Sequence, residues 1–210
     1  MKTIIILERH GQSVGNADKL YLGHTDLGLT EKGIMQAEIT AEHLANEALS
    51  AIYSSDLKRA YETALPHARI HKLDIKTSER LREVFVGDWE GKFVPDLVRD
   101  CYEDFVVRRT HRGFVYPGGE STYDAACRLH KALVDIALEN EGGVVLVVSH
   151  SVAIRSFWYY LSGYTELNMI DRVPFMPNAS YCTLEFDGKK LIPVKYFCAE
   201  HLPETKTHPV

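Results

Sequence analysis

Long apolar runs are missing from this chain. The longest, such as Gly143 to Val148, falls far short of the ~18 residues that span a bilayer. The N-terminus offers one lysine and a short apolar run, so neither a membrane segment nor an export signal is expected. Cysteine is scarce: Cys101, Cys127, Cys182 and Cys198 stand singly and far apart, which excludes a C-x-x-C zinc or redox motif and a dense disulfide framework. A cytoplasmic location is the simplest expectation. An excess of positive charge is also lacking, since 24 Lys and Arg against 29 Asp and Glu give a net charge of -5. That balance argues against a general nucleic-acid or membrane-surface binder, although a small anion needs only a local basic cleft. No internal repeat or low-complexity linker is present.

What remains is ordinary globular composition, 45% apolar and 25% charged over 210 residues, enough for a full core. Thr3 to Leu7 is a β-branched run that ends at the polar Glu8-Arg9-His10-Gly11. Thr30 can cap a helix of about five turns whose apolar positions are Ile34, Ala37, Ala41, Leu44, Ala45 and Ala48. Ala51 to Ser54 gives a second strand, and Asp56 can cap a helix with Leu57, Ala60, Tyr61 and Ala64 on one side. A third strand near Leu73 to Thr77 and a fourth at Gly143 to Ser149, after a helix capped by Ser121, continue the alternation. Tyr181 to Phe186 and Leu191 to Phe197, joined by Asp187-Gly188, predict an edge hairpin before a loose tail from His201. The expected fold is α/β, a three-layer sandwich with a mostly parallel central sheet flanked by helices, as one domain over 1–210. Residues 92–116, mixed polar and aromatic, interrupt the pattern and predict a small cap insertion.

In such a sheet the ligand crevice lies at the C-terminal strand ends. Strand one ends in Arg9-His10, strand two leads through Ser54-Ser55 towards Arg59, the segment after strand three carries Arg82-Glu83, and strand four ends in Ser149-His150-Ser151. Arginines grip phosphate oxygens bidentately. Cationic neighbours keep an imidazole neutral and nucleophilic, and a carboxylate can protonate a departing alkoxide. Taken singly, each has a plain structural role available: Glu83 in a salt bridge with Arg82, His150 as a helix cap.

Arg9-His10-Gly11-Gln12-Ser13-Val14-Gly15-Asn16 resembles the signature of the histidine phosphatase superfamily, which includes the cofactor-dependent phosphoglycerate mutases. Further blocks follow in the family's order: Leu29 to Gly33 with Gln36-Ala37, Ser55 to Ala60 with Thr63-Ala64, Leu81-Arg82-Glu83 through Gly91, Pro117 to Ser121, Val148-Ser149-His150 and Asn178-Ala179-Ser180. The resemblance implies that His10 is phosphorylated, that Arg9, Arg59 and His150 hold the phosphoryl oxygens, and that Glu83 is the proton donor, with no metal or cofactor. It makes Asn16, Gln12 and Ser151 candidate substrate contacts. The partner is then a small phosphorylated substrate, and the expected enzyme is a phosphomonoesterase. The short segment between Gly91 and Pro117 resembles the phosphatase branch. Arg108, Arg109, His111 and Arg112 within it form a basic cluster that either binds a further anion or is a solvated face, which keeps mutase activity as the alternative.

Other classes share these residues. Gly11 to Gly15 matches the G-x-S-x-G elbow of serine hydrolases through Ser13, but only one strand precedes it and no upstream oxyanion loop exists. His67 and His71, four apart, lack a third ligand in register and are expected at the surface, and the tail histidines His201 and His208 lack partners. A non-catalytic phosphate-binding module would not need the acid Glu83. Oligomeric state is open, a homodimer being one option.

Overall fold

The computed structural model describes residues 1–110, 114–163 and 175–203 of the chain. Six strands form one sheet: β1 (Thr3–Arg9), β2 (Leu49–Ser54), β3 (Ile75–Thr77), β4 (Val144–Ser149), β5 (Tyr181–Phe186) and β6 (Leu191–Cys198). Their order is β3-β2-β4-β1-β5-β6. The first four are parallel, and β5 and β6 add an antiparallel edge hairpin. Burial on both faces explains the near-continuous Ile and Val runs of β1 and β4. Ile5, Leu7, Val145 and Val147 meet α6 (Thr122–Glu139) and α7 (Ser151–Leu161) on one side, and Ile6, Ile52, Leu146 and Val148 meet Ala60 and Ala64 of α3 (Lys58–His71) on the other. Helix α2 (Glu31–His43) packs on α3 and completes the three layers; α1 (Val14–Ala17) is one turn just after β1.

Several boundaries differ from the sequence expectation. Thr30 does cap α2, its hydroxyl accepting the Gly33 N–H at 3.0 Å. The helix stops at His43, however, because Leu44 turns into the core at the C-cap and β2 must begin at Leu49 to pair with Val144. Ala45 and Ala48 therefore lie outside it, and Ile34 is half exposed. Asp56 does not cap α3; Leu57 holds that position without a side-chain bond, and Asp56 pairs with Arg82 instead. Tyr61 faces solvent, and α3 runs through Pro66. His67 is no surface residue: it is fully buried, 2.9 Å from Glu8.

The segment 92–116, where described, forms α4 (Val94–Asp100) and α5 (Tyr102–Thr110). Its apolar residues close over Trp89, which stands edge-on to Tyr21 at 5.5 Å and to Tyr116 at 5.4 Å, with Phe105 and Phe114 packed alongside. The ring cluster buries this segment, and backbone pairing adds to it, with Tyr21 N–H donating to the Lys92 carbonyl at 2.8 Å and Val94 N–H to the Lys19 carbonyl at 2.9 Å. Beyond β6 the chain docks: Ala199 and Leu202 are buried, and His201 Nε2 lies 3.0 Å from Thr40 Oγ1 with its ring stacked on His43. The segment from His201 is thus tied to α2 as far as it is described, and His208 lies outside the described residues. No helix among the described residues is long and apolar enough to cross a membrane.

Candidate active site

The pairing of β1 with β4 sets the site. Arg9 lies opposite Ser149, so the residues that follow, His10 and His150, leave adjacent strands side by side, with ring centroids 5.1 Å apart. Helices α3 and α7 start beside these strand ends and bring in Arg59 and the backbone amides of Val152 and Ala153. The resulting cleft encloses about 230 Å³. Its lining combines the polar Arg9, His10, Ser13, Asn16, Arg59, Glu83 and Ser151 with Leu20, Tyr21, Leu22, Val86, Val94, Val152 and Phe175.

His10 is 4% exposed, and its Nδ1 lies 2.6 Å from the Gly11 carbonyl. A carbonyl only accepts, so the Nδ1–H donates and the neutral ring keeps its lone pair on Nε2. Burial, then Arg59 and Arg9, hold the His10 pKa well below the usual histidine value. His150 has the opposite tautomer. Its Nδ1 accepts from Arg59 Nε–H at 3.3 Å, which leaves the proton on Nε2, a buried atom without a protein partner. Burial and Arg59 also keep His150 neutral.

Arg59 is held by its donors to the carbonyls of Thr25 (2.9 Å) and Gly23 (2.8 Å). Those carbonyls are in turn fixed by Glu90, which accepts from the amides of Gly23, His24 and Thr25 and from the Thr25 hydroxyl. Arg9 donates to the Met176 carbonyl and stands over the Phe175 ring at 4.9 Å. Burial, together with Arg155 and Arg59, brings Arg9 down to about 10 against the pull of Glu83.

Glu83 does not pair with Arg82. Its carboxylate accepts from Val84 and Ala153 on Oε1 and from Val152 on Oε2, at 2.7 to 3.0 Å, at the start of α7. Desolvation nevertheless outweighs these bonds and raises its pKa. A carboxyl that keeps its proton longer than an ordinary one, in the same cleft as a neutral imidazole, is the arrangement acid catalysis needs. Arg128 pins the backbone beneath it through the carbonyls of Arg80, Arg82 and Glu83.

The structure thus brings His10, His150, Arg9, Arg59 and Glu83 together, with Asn16 and Ser151 in the lining. Gln12 turns away: its Oε1 takes the Thr30 hydroxyl at 2.9 Å, and its amide N–H goes to Gln36. Arg108 and Arg109 end α5, with side chains outside the described part, as are His111 and Arg112 entirely. Ser13 caps α1 by accepting the Asn16 N–H at 3.2 Å and, among the described residues, has no hydrogen bond to a histidine such as a serine nucleophile requires. Sequence reasoning missed Asn178, which donates to the His10 carbonyl and to Asn16 Oδ1, each at 3.1 Å. It also missed Thr63, whose hydroxyl takes the Gly11 N–H. Both stood in motif blocks, Asn178-Ala179-Ser180 and Thr63-Ala64, but neither was given a contact.

The family model described as the histidine phosphatase superfamily (branch 1) matches residues 5–198. Among curated proteins, phosphoserine phosphatase 1 of Hydrogenobacter thermophilus is 32% identical over 95% of this chain and 94% of its own length. Phosphoglycerate mutase-like protein 4 of Arabidopsis thaliana is 36% identical over 73% of this chain and 69% of its own. Among solved structures, a mycobacterial glucosyl-3-phosphoglycerate phosphatase superposes with a TM-score of 0.85 at 27% identity, covering 95% of this chain and all of that one.

Proposed function

The chain belongs to the histidine phosphatase superfamily, and on that premise we propose that it is a phosphomonoesterase that hydrolyses a small phosphorylated metabolite through a phosphohistidine at His10. One observation carries the assignment of the nucleophile: the Gly11 carbonyl takes the Nδ1 proton and leaves Nε2 as a lone pair in a cleft with two guanidiniums. In the first step Nε2 attacks phosphorus, the ester oxygen leaves, and Glu83 gives that oxygen its proton. Arg9, Arg59 and the Nε2–H of His150 take up the charge on the non-bridging oxygens. In the second step water attacks the phosphohistidine, Glu83 accepts the water proton, and phosphate and neutral His10 are released.

The cavity volume suits a small substrate, and the apolar wall faces whatever alcohol the phosphoryl group leaves. Relatives named for phosphoserine and for glucosyl-3-phosphoglycerate set the range of candidate metabolites. The four free cysteines, buried or half-buried, suit a reducing compartment such as the cytoplasm. Likeness to a mutase-named relative favours a second reading, in which the phosphoryl group returns to a sugar acid.

The test is a screen of phosphoserine, phosphoglycerates, sugar phosphates and p-nitrophenyl phosphate, with and without 2,3-bisphosphoglycerate. Hydrolysis that vanishes in His10→Ala supports the phosphatase; full activity in that variant overturns the mechanism. Rapid interconversion of 2- and 3-phosphoglycerate that exceeds hydrolysis selects the mutase.

A further inference from the structure

Helix α3 carries a buried polar stripe at a spacing of four: Arg59, Thr63 and His67. Each ties α3 to the stretch of chain around His10. Arg59 reaches His150 beside His10, the Thr63 hydroxyl accepts the Gly11 N–H at 3.0 Å, and His67 Nε2 lies 2.9 Å from Glu8 Oε2. Glu8 is the second residue before His10, on β1. Of the three side chains on the stripe, Arg59 lines the cleft; Thr63 and His67 do not, and both Glu8 and His67 are 0% exposed.

The surroundings of this pair are apolar, with Ile6, Ala60, Ala64 and Val148 on the same face of the sheet. Although His67 Nε2 and Glu8 Oε2 lie 2.9 Å apart, none of the four polar side-chain atoms of the pair has a well-formed hydrogen bond. Burial raises the Glu8 pKa, and the charge on His67 acts against it. A buried polar pair whose four side-chain atoms lack well-formed hydrogen bonds is a poor way to stabilise a core, since two apolar side chains of similar volume commonly do as well or better. What it supplies is geometry, because the two groups meet at only one height of α3 along β1. That height also fixes how far Arg59 stands from His10, and a displacement of ~1 Å between reacting groups can cost ~100-fold in rate.

We propose that Glu8 and His67 form a positioning pair that sets Arg59 against His10 for phosphoryl transfer. This rests on the reading that both residues act on one phosphoryl group. Neither member of the pair touches substrate.

The experiment replaces both members by apolar residues, in two shapes: Glu8→Leu with His67→Leu, and Glu8→Val with His67→Met. Thermal unfolding, kcat and KM for p-nitrophenyl phosphate, and inhibition by vanadate are measured on each beside the parent. The expected result is an unfolding temperature equal to or above the parent's, with kcat about tenfold lower, vanadate inhibition about tenfold weaker, and KM changed less than twofold. A folded double variant whose kcat and vanadate inhibition stay within twofold of the parent overturns the proposal. So does failure of both double variants to fold, which would make the pair a requirement of the fold itself. Because His10→Ala tests the phosphohistidine reading on the parent background, loss of that reading is recognised separately.

Discussion

At the residue scale the site depends on two groups whose proton affinities are moved in opposite directions. Burial beside Arg59 and Arg9 keeps His10 neutral below the usual histidine value, and desolvation makes Glu83 hold its proton above the usual carboxyl value. The kcat/KM profile is therefore expected to fall on the acid side as His10 gains a proton, and on the basic side as Glu83 loses its own. Glu83→Gln removes the basic fall, because no proton remains to be lost. On an alkyl phosphate this variant should lose about 10²-fold or more in rate, and much less on p-nitrophenyl phosphate, whose leaving group needs no proton. Equal loss on both substrates would take Glu83 out of the acid role.

At the scale of elements, the loop 23–25 matters because it links Glu90 to Arg59 by hydrogen bonds, beside the direct attraction between their charges. Burial acts to raise the Glu90 pKa, but the Thr25 hydroxyl and the three backbone amides outweigh it and hold the carboxylate low. Glu90→Gln puts an NH2 where acceptors are required. It should cost about 1–3 kcal/mol in urea unfolding and weaken inhibition by inorganic phosphate several-fold, since Arg59 rests on the Gly23 and Thr25 carbonyls. Phosphate inhibition equal to the parent's would show that the loop does not hold Arg59. Strands β1 and β4 and the residues that end them were legible in the sequence, because burial on both faces produces apolar runs that stop where the polar cleft begins. The end of α2 was not, as the spaced alanines Ala45 and Ala48 fit helix and turn alike and only the pairing of Leu49 with Val144 decides. Asp56 looked like a cap until Arg82, distant in sequence, claimed it, and His67 looked superficial because its partner Glu8 belongs to another element. The arginines, histidines and acid were readable from motif blocks. Thr63 and Asn178 also stood in those blocks, but the contacts that they and Arg128 make were not readable, since those arise only when the chain closes on itself.

For the whole molecule, the buried site couples folding to pH. His10 and His150 have folded pKa values below the unfolded value of about 6.5, so below that pH the unfolded chain takes up protons the folded protein refuses, and stability falls as pH falls. Glu8 and Glu83, raised in the folded state, act the other way: their contribution is lost as pH rises from about 4.5. The histidine part is isolated by difference. Between pH 7 and pH 5 the parent should lose up to ~2 kcal/mol more in unfolding free energy than His150→Gln does. An identical loss in the two proteins would mean that His150 is not held neutral.

The phosphohistidine is the centre of the account, and rapid quenching of a turning-over enzyme tests it most directly. The protein is mixed with substrate, denatured in alkali within one turnover, and mapped by mass spectrometry. The prediction is a single phosphoryl group, stable in alkali and labile in acid, on the peptide that carries His10, and no such group in His10→Ala. Steady hydrolysis with no phosphorylated peptide under these conditions, or a label that persists in His10→Ala, would contradict it.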